Sequence, residues 1–277
     1  MPIQKGQGKT AVSLFVDGLS LKFVQLSLKG GKVTLRDFKT VALVKKFEEK
    51  ELAAEGAEAG GFSDSASPAD SFGGATPMEG SQDEEASTNS TVLLGLLSEL
   101  QGKYLFNYAL SEPAVTYQEY ESDFGLKGGG LRKRIIEELA ATRSTPPQAD
   151  SFEVIPHANG GLLTIIREDG LNLYDLLTEI REFLGINAPN LEVIDSADVA
   201  LMEMIRTGYE VQDEEVTVVV YVGHDFSRII FMQGREYLHF APIISEGHES
   251  PNIENTLYSR ILLEQDNIAL ARMDRII

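Results

Sequence analysis

The pattern of apolar and polar positions is clearest over residues 216–240. Residues 216–222 are an almost unbroken apolar run, which is typical of a strand covered on both faces. A second β-rich run covers residues 227–233, and a third begins at Glu236. The connection Gly223-His224-Asp225-Phe226 favours strand pairing, so the pattern predicts an antiparallel meander whose first strand is central.

Another three-stranded meander is predicted at the start of the chain. Strands are expected over residues 11–16, 21–28 and 32–44. Their turns, Asp17-Gly18 and Lys29-Gly30-Gly31-Lys32, contain glycine where a positive φ is favourable. The chain is therefore expected to begin with a sheet, part of which is covered on both faces.

The chain between and after the meanders alternates between helix and strand. Strands are predicted over residues 104–110, 115–121, 152–157, 162–167 and 191–195. Helices are predicted over residues 92–100, 131–141, 173–184, 198–207 and 252–265. The final apolar pair, Ile276-Ile277, resembles the entry to a further strand, so we expect the sequence to be incomplete at its C-terminus.

Residues 45–91 differ in composition from the rest of the chain. They are rich in glycine, alanine, serine and acidic residues and contain few large apolar side chains. Such a segment cannot bury enough apolar surface to offset the entropy of ordering it. We expect a disordered acidic insert here, with a helical start over residues 47–57.

Composition narrows the class of protein. The chain has 277 residues, a net charge of -19 and no cysteine. Disulfides and thiolate metal sites are therefore excluded, and a nucleic-acid partner is disfavoured because phosphate backbones are bound chiefly by Lys and Arg. Since the longest apolar runs are too short to span a bilayer, we expect a cytosolic protein with no direct membrane insertion.

No intact catalytic or metal motif is present. Residues 6–10, Gly-Gln-Gly-Lys-Thr, share the ending of a phosphate-binding loop, but a strand rather than a helix follows, and a flexible tail is favoured. Residues 128–130 could offer helix-end amides to an anion, although a solvated helix entry is favoured. Asp195 and Asp198 could be paired acids, although a strand-end acid and a helix cap explain them better. The four histidines lack metal-ligand spacing: His157, His224, His239 and His248.

The order of these elements resembles the actin-like ATPase superfamily. Within it the likeness is greatest to the type IV pilus assembly protein PilM and to relatives in cell division and type II secretion. The resemblance implies an α/β, two-lobed fold built from a duplicated ribonuclease H-like unit, incomplete at the C-terminus. Residues 1–44 and 92–195 would form the first lobe, residues 45–91 the insert, and residues 196–277 a truncated second lobe.

The resemblance also implies where a nucleotide would bind. In that superfamily a hairpin turn from each lobe wraps the phosphates, and aspartates hold the metal. When the first hairpin is aligned on Lys22, its aspartate falls on Phe15. In the second hairpin the glycine corresponds to Gly223, and Tyr221 stands in place of the aspartate. The residues expected at the two turns, as remnants of a phosphate site, are Asp17, Gly18, Ser20, Lys22, Gly223, Asp225 and Ser227.

The loss of both acids implies a fold that has been kept while hydrolysis has been lost. We therefore expect a cytoplasmic scaffold, peripheral to the inner membrane, without a catalytic residue, metal or cofactor. By the resemblance, it would dock the cytosolic peptide of an inner-membrane pilus or secretion subunit. Two alternatives stay open: an ATPase or sugar-kinase relative that uses ATP and magnesium through Asp17 and Asp225, and an orphan actin-like domain.

Overall fold

The computed structural model describes residues 9–47, 88–100, 104–143, 145, 147–148, 150–168, 171–185 and 188–277. Its strands are β1 (Lys9–Asp17), β2 (Ser20–Lys29), β3 (Lys32–Ala42), β4 (Leu105–Leu110), β5 (Val115–Tyr120), β6 (Phe152–Pro156), β7 (Leu162–Arg167), β8 (Leu191–Ser196), β9 (Val216–Val222), β10 (Ser227–Gln233), β11 (Glu236–Phe240) and β12 (Arg275–Ile276). Its helices are α1 (Asn89–Ser98), α2 (Gly128–Thr142), α3 (Asn172–Leu184), α4 (Ala197–Gly208) and α5 (Ile253–Asn267). The strands and helices predicted outside the insert are present, with boundaries shifted by a few residues, whereas the helical start predicted over residues 47–57 lies almost wholly outside the described residues.

The described residues form three sheets, two of which share a strand order. The first sheet has the order β3-β2-β1-β4-β8, and the second has the order β11-β10-β9-β12. In each, an antiparallel meander comes first, and its first strand then pairs in parallel with a later strand. Both predicted meanders are confirmed, as is the strand at the final apolar pair.

Two helices pack on one face of the first sheet. Leu14 of β1 and Tyr108 of β4 are buried in a core that both α1 and α3 complete. The side of α3 that faces this core carries Leu173, Leu177 and Ile180, which belong to the apolar stripe that helical spacing predicts. The burial of one face of this sheet therefore follows from the amphipathic pattern of α3.

The strand β9 is covered on both faces, as its unbroken apolar sequence predicts. Val218 lies in a core with Ile261 of α5. Val219, on the opposite face, lies in a core with Met202 and Ile205 of α4. Because α4 also contacts β4 and β8 of the first sheet, this helix lies between the two related sheets.

A third sheet, with the order β5-β7-β6, is built from residues 115–167. Helix α2 covers it through Ile135 and Leu139. Leu163 of β7 joins the core that α4 shares with the second sheet. This sheet therefore packs against the second sheet. The assignment of residues 92–195 to a single lobe stays a prediction.

Most of the predicted insert, residues 48–87, lies outside the described residues. The prediction was too wide at both ends, because Phe47 is 1% exposed in the first core and Asn89 begins α1. The side-chain oxygen of Asn89 accepts the backbone N–H of Val44 at 2.8 Å, which holds the two ends together. In the described part of the chain, no helix combines the length and apolarity that crossing a bilayer requires.

Candidate functional site

Two hairpin turns, one from each related sheet, meet directly. The β1–β2 turn contains Gly18, and the β9–β10 turn runs from Gly223 to Phe226. A Cβ added to Gly18 would lie 2.4 Å from Oδ2 of Asp225, and one added to Gly223 would lie 2.7 Å from Oδ1 of Asp17. Because real Cβ atoms do not approach other atoms so closely, this contact requires glycine in both turns.

The carboxylate of Asp17 is the centre of the contact and is 1% exposed. Its Oδ2 accepts hydrogen bonds from Nζ of Lys22 at 2.7 Å and from the hydroxyl of Tyr221 at 2.8 Å. Its Oδ1 accepts the backbone N–H of His224 at 2.9 Å. Since Tyr221 and His224 belong to the second sheet, this one carboxylate joins the two sheets.

At the contact between the two turns, the negative charge of Asp17 is cancelled by the positive charge of Lys22. Burial alone raises the pKa of Asp17, but its hydrogen bonds from Lys22, His224 and Tyr221 outweigh burial and lower it. Burial raises the pKa of Tyr221 to about 12, so its phenol stays protonated and donates. Burial lowers the pKa of Lys22, but its hydrogen bond to Asp17 reverses this and raises it. At neutral pH the contact is therefore an ion pair with no net charge.

Asp225, on the other side of the contact, is also paired. Its Oδ2 lies 3.1 Å from Nζ of Lys46, and its Oδ1 lies 2.6 Å from Nδ1 of His224. The hydrogen bond to His224, followed by that to Lys46, lowers the pKa of Asp225. Both acids of the two turns are therefore neutralised by side chains of the protein itself.

Most of the residues predicted at the two turns come together. The residues that meet are Asp17, Gly18, Lys22, Gly223 and Asp225. Ser20 lies opposite Asp17 at the start of β2, and the hydroxyl of Ser227 is occupied by donating to the carbonyl oxygen of Glu246 at 2.7 Å. The sequence did not point to Lys46, which lies in the segment predicted as an insert, or to the backbone N–H of His224.

The other sequence candidates do not gather into a site. Residues 6–8 lie outside the described residues, and the glycines at 128–130 begin α2. The side chain of Ser196, rather than that of Asp198, caps α4, and Asp198 lies 3.0 Å from NH2 of Arg228. Among the described side chains, no group of three His, Asp or Glu residues could hold a metal ion.

The arrangement of the two related sheets agrees with known structures. No protein-family model matches the chain, and no curated protein matches its sequence. The chain is similar to a PilM–PilN type IV pilus biogenesis complex, with a TM-score of 0.50 and 13% identity over 94% of this chain and 73% of the other. It is also similar to a Bacteroides thetaiotaomicron protein with an actin-like ATPase fold and unknown function. That TM-score is 0.45, with 11% identity over 92% of this chain and 77% of the other.

The chain has the actin-like ATPase fold. A third similar structure is the PPX-GPPA enzyme of Aquifex aeolicus, with a TM-score of 0.39 and 9% identity over 98% of this chain and 67% of the other. The predicted fold class is confirmed, and the two touching hairpin turns are those that the resemblance assigns to the phosphates.

The residues at these turns do not fit ATP with magnesium. The oxygens of Asp17 are taken by three internal donors, and those of Asp225 by Lys46 and His224. The positions that the resemblance assigns to the metal-binding acids carry Phe15 and Tyr221, whose ring centroids are 6.1 Å apart. A hard cation requires several oxygen ligands, and aromatic rings cannot supply them.

A groove of about 450 Å³ opens elsewhere in this actin-like chain, between β6 and β8. These strands lie at the edges of the third and first sheets, and among the described residues each pairs with one neighbouring strand. The groove wall includes Ile155, Ile165 and Ile194. Four carboxylates and one arginine also line the groove: Asp150, Glu153, Glu192, Asp195 and Arg167. The groove therefore combines two edge strands, apolar walls and an excess of negative charge.

Proposed function

We propose that this protein is a cytosolic scaffold that docks the extended cytosolic tail of an inner-membrane subunit. The assembly would be of the type IV pilus or type II secretion kind, and the protein would lie at the inner membrane through its partner. The observation that carries this proposal is the groove between β6 and β8. The similarity to a PilM–PilN complex supports it.

The edges of the groove suit an extended peptide. A strand at the edge of a sheet presents unpaired N–H and C=O groups, to which a peptide can add as another strand. Side chains of such a peptide alternate, so every second one would reach the apolar wall formed by Ile155, Ile165 and Ile194. The backbone would supply affinity, and the wall would select apolar side chains.

The charge of the groove suits a basic tail. Cytoplasmic segments next to membrane helices are enriched in Lys and Arg. Glu192 lies at the exposed edge of β8, and burial raises the pKa of the neighbouring Asp195. A cation that enters beside these carboxylates favours their charged forms. The tail is therefore proposed to place Lys or Arg residues along β8.

The paired acids at the phosphate turns support the loss of nucleotide hydrolysis. A phosphate at the turns would have to displace Asp17 from the N–H of His224 and break its ion pair with Lys22. A buried carboxylate that loses its partners is costly, so the internal pairing competes with the ligand. The protein is proposed to keep the fold of an ATPase without using ATP.

A fluorescent peptide tests the docking proposal. Its core alternates valine and threonine, and arginine residues flank it; the comparison peptide has glutamates in their place. We expect the basic peptide to bind at least about tenfold more tightly, because the groove is acidic. Fluorescence anisotropy at low salt measures both.

The charge reversal Glu192→Lys is expected to remove the preference for the basic peptide. Glu254→Lys on α5, a helix that packs on the second sheet, is the matched control and should leave the preference unchanged. Equal binding of both peptides, or equal effects of the two variants, would show that the groove does not dock a basic tail.

Calorimetry with Mg·ATP tests the loss of nucleotide binding. Because both acids are paired internally, we expect no magnesium-dependent binding with a dissociation constant below about 1 mM. ATP in excess EDTA is the control for binding that does not need the metal. Micromolar, magnesium-dependent binding would instead favour the alternative of an active ATPase or sugar-kinase relative.

A further inference from the structure

A small, partly open cavity lies beside the touching turns, between β1 and β4 of the first sheet and α4. Its volume is about 230 Å³. Phe15, Tyr221 and Phe226 supply aromatic rings to its wall, and Ala197 and Ala200 of α4 lie on its lining. Small side chains on the helix leave the space that the rings do not fill. We propose that this cavity binds an uncharged aromatic ring.

The size of the cavity matches such a ligand. An apolar cavity of about 150 Å³ is large enough to hold benzene. A cavity of 230 Å³ therefore has room for one ring or for two fused rings. A nucleotide with its phosphates is much larger and highly charged, so the ligand class differs from that of an active actin-like ATPase.

The charges around the cavity exclude an ionic ligand. Asp198, which lines the cavity, is 3.0 Å from NH2 of Arg228 and accepts the hydroxyl of Tyr117 at 2.7 Å. Lys22, which lies over the rings of Phe15 and Tyr221, is 2.7 Å from Asp17. An entering ion would lose its hydration without gaining a free counter-charge, and this is costly. A neutral ring has no charge to dehydrate, so it avoids that cost.

The aromatic side chains are arranged to accept another ring. The rings of Phe15 and Tyr221 meet edge to face, at 78°. Those of Tyr221 and Phe226 are 5.7 Å apart and tilted by 47°. Aromatic pairs favour such tilted and edge-to-face contacts over parallel sandwiches. A ligand ring in the cavity can therefore contact the edge of one of these side-chain rings and the face of another.

Indole is a direct probe, because the protein has no tryptophan and so no indole fluorescence of its own. We expect the emission of indole to shift to the blue in a saturable way, with a dissociation constant on the order of 1 mM. N-acetyl-tryptophanamide is the second probe. Binding of both probes indicates that a partner's aromatic side chain can enter, and binding of indole alone indicates a small-molecule site.

The variant Ala200→Leu fills the cavity from an exposed position on α4, so folding should be preserved. It is expected to weaken indole binding by at least about tenfold. Ala140→Leu, an exposed helical position on α2, is the matched control and should leave binding unchanged. Absence of a saturable shift with the unmodified protein, or equal weakening by the two variants, would overturn the proposal.

Discussion

Replacing Arg228 with methionine is expected to lower the free energy of unfolding by roughly 3–5 kcal/mol. The guanidinium side chain is 3% exposed and lies 2.9 Å from Glu112 and 3.0 Å from Asp198. Methionine keeps much of the apolar stem but removes the charge. The two acids would then be left without this cation, and a buried charge without a partner costs more than the pair itself contributes. Urea unfolding measures the change.

The size of this effect follows from how many elements Arg228 joins. It lies on β10 of the second sheet, whereas Asp198 starts α4 and Glu112 lies in the connection between β4 and β5. Its NH1 also donates to the carbonyl oxygen of Ala241 at 2.7 Å, and its charge lies 4.7 Å from the ring centroid of Phe240. Its loss therefore weakens the packing of both related sheets around α4.

Arg134→Met is the matched control. Arg134 is 45% exposed on α2 and pairs with Glu138 one turn further along, so its replacement should cost less than about 1 kcal/mol. Adding Asp198→Asn to Arg228→Met should restore part of the lost stability, because a neutral amide is cheaper to bury than an unpaired carboxylate. If both arginine variants lowered the free energy of unfolding equally, Arg228 would not be buried between Glu112 and Asp198 in solution.

Local sequence patterns were sufficient to predict the elements of the fold. The apolar run at 216–222 predicted a strand covered on both faces, and β9 has α5 on one side and α4 on the other. Glycine at 18 and at 30 predicted two of the turns, and both residues have a positive φ. Each of these signals lies within a few residues of the strand or turn that it specifies, so a single sequence is enough to detect it.

The pairing of the charges at the site could not be predicted in the same way. Asp17 and Tyr221 were each identified, but they are 204 positions apart, and their hydrogen bond depends on how the two sheets meet. Alternation along β10 gave no reason to expect a buried Arg228, since its partner Asp198 belongs to another element. Hydrogen bonds and ion pairs between different strands and helices depend on tertiary packing. The local sequence pattern carries no information on that packing.

Gly18→Ala is expected to lower the free energy of unfolding by about 2–4 kcal/mol. Part of this, about 1–2 kcal/mol, is the cost of holding a residue with a side chain at a positive φ, since φ is +62° at Gly18. The remainder arises because the new Cβ would lie 2.4 Å from Asp225. Either Asp225 must leave Lys46 and His224, or the two turns must separate.

Gly30→Ala measures the backbone part of this cost alone. Gly30 has nearly the same φ, +59°, but no atom lies within 4 Å of a Cβ added there. It should therefore lose only the backbone term of about 1–2 kcal/mol. Because the two substitutions share the backbone term, the difference between them in urea unfolding reports on the contact between the two turns. If the two variants lose the same stability, the turns do not touch in solution, and the internal pairing of Asp17 would no longer oppose a phosphate.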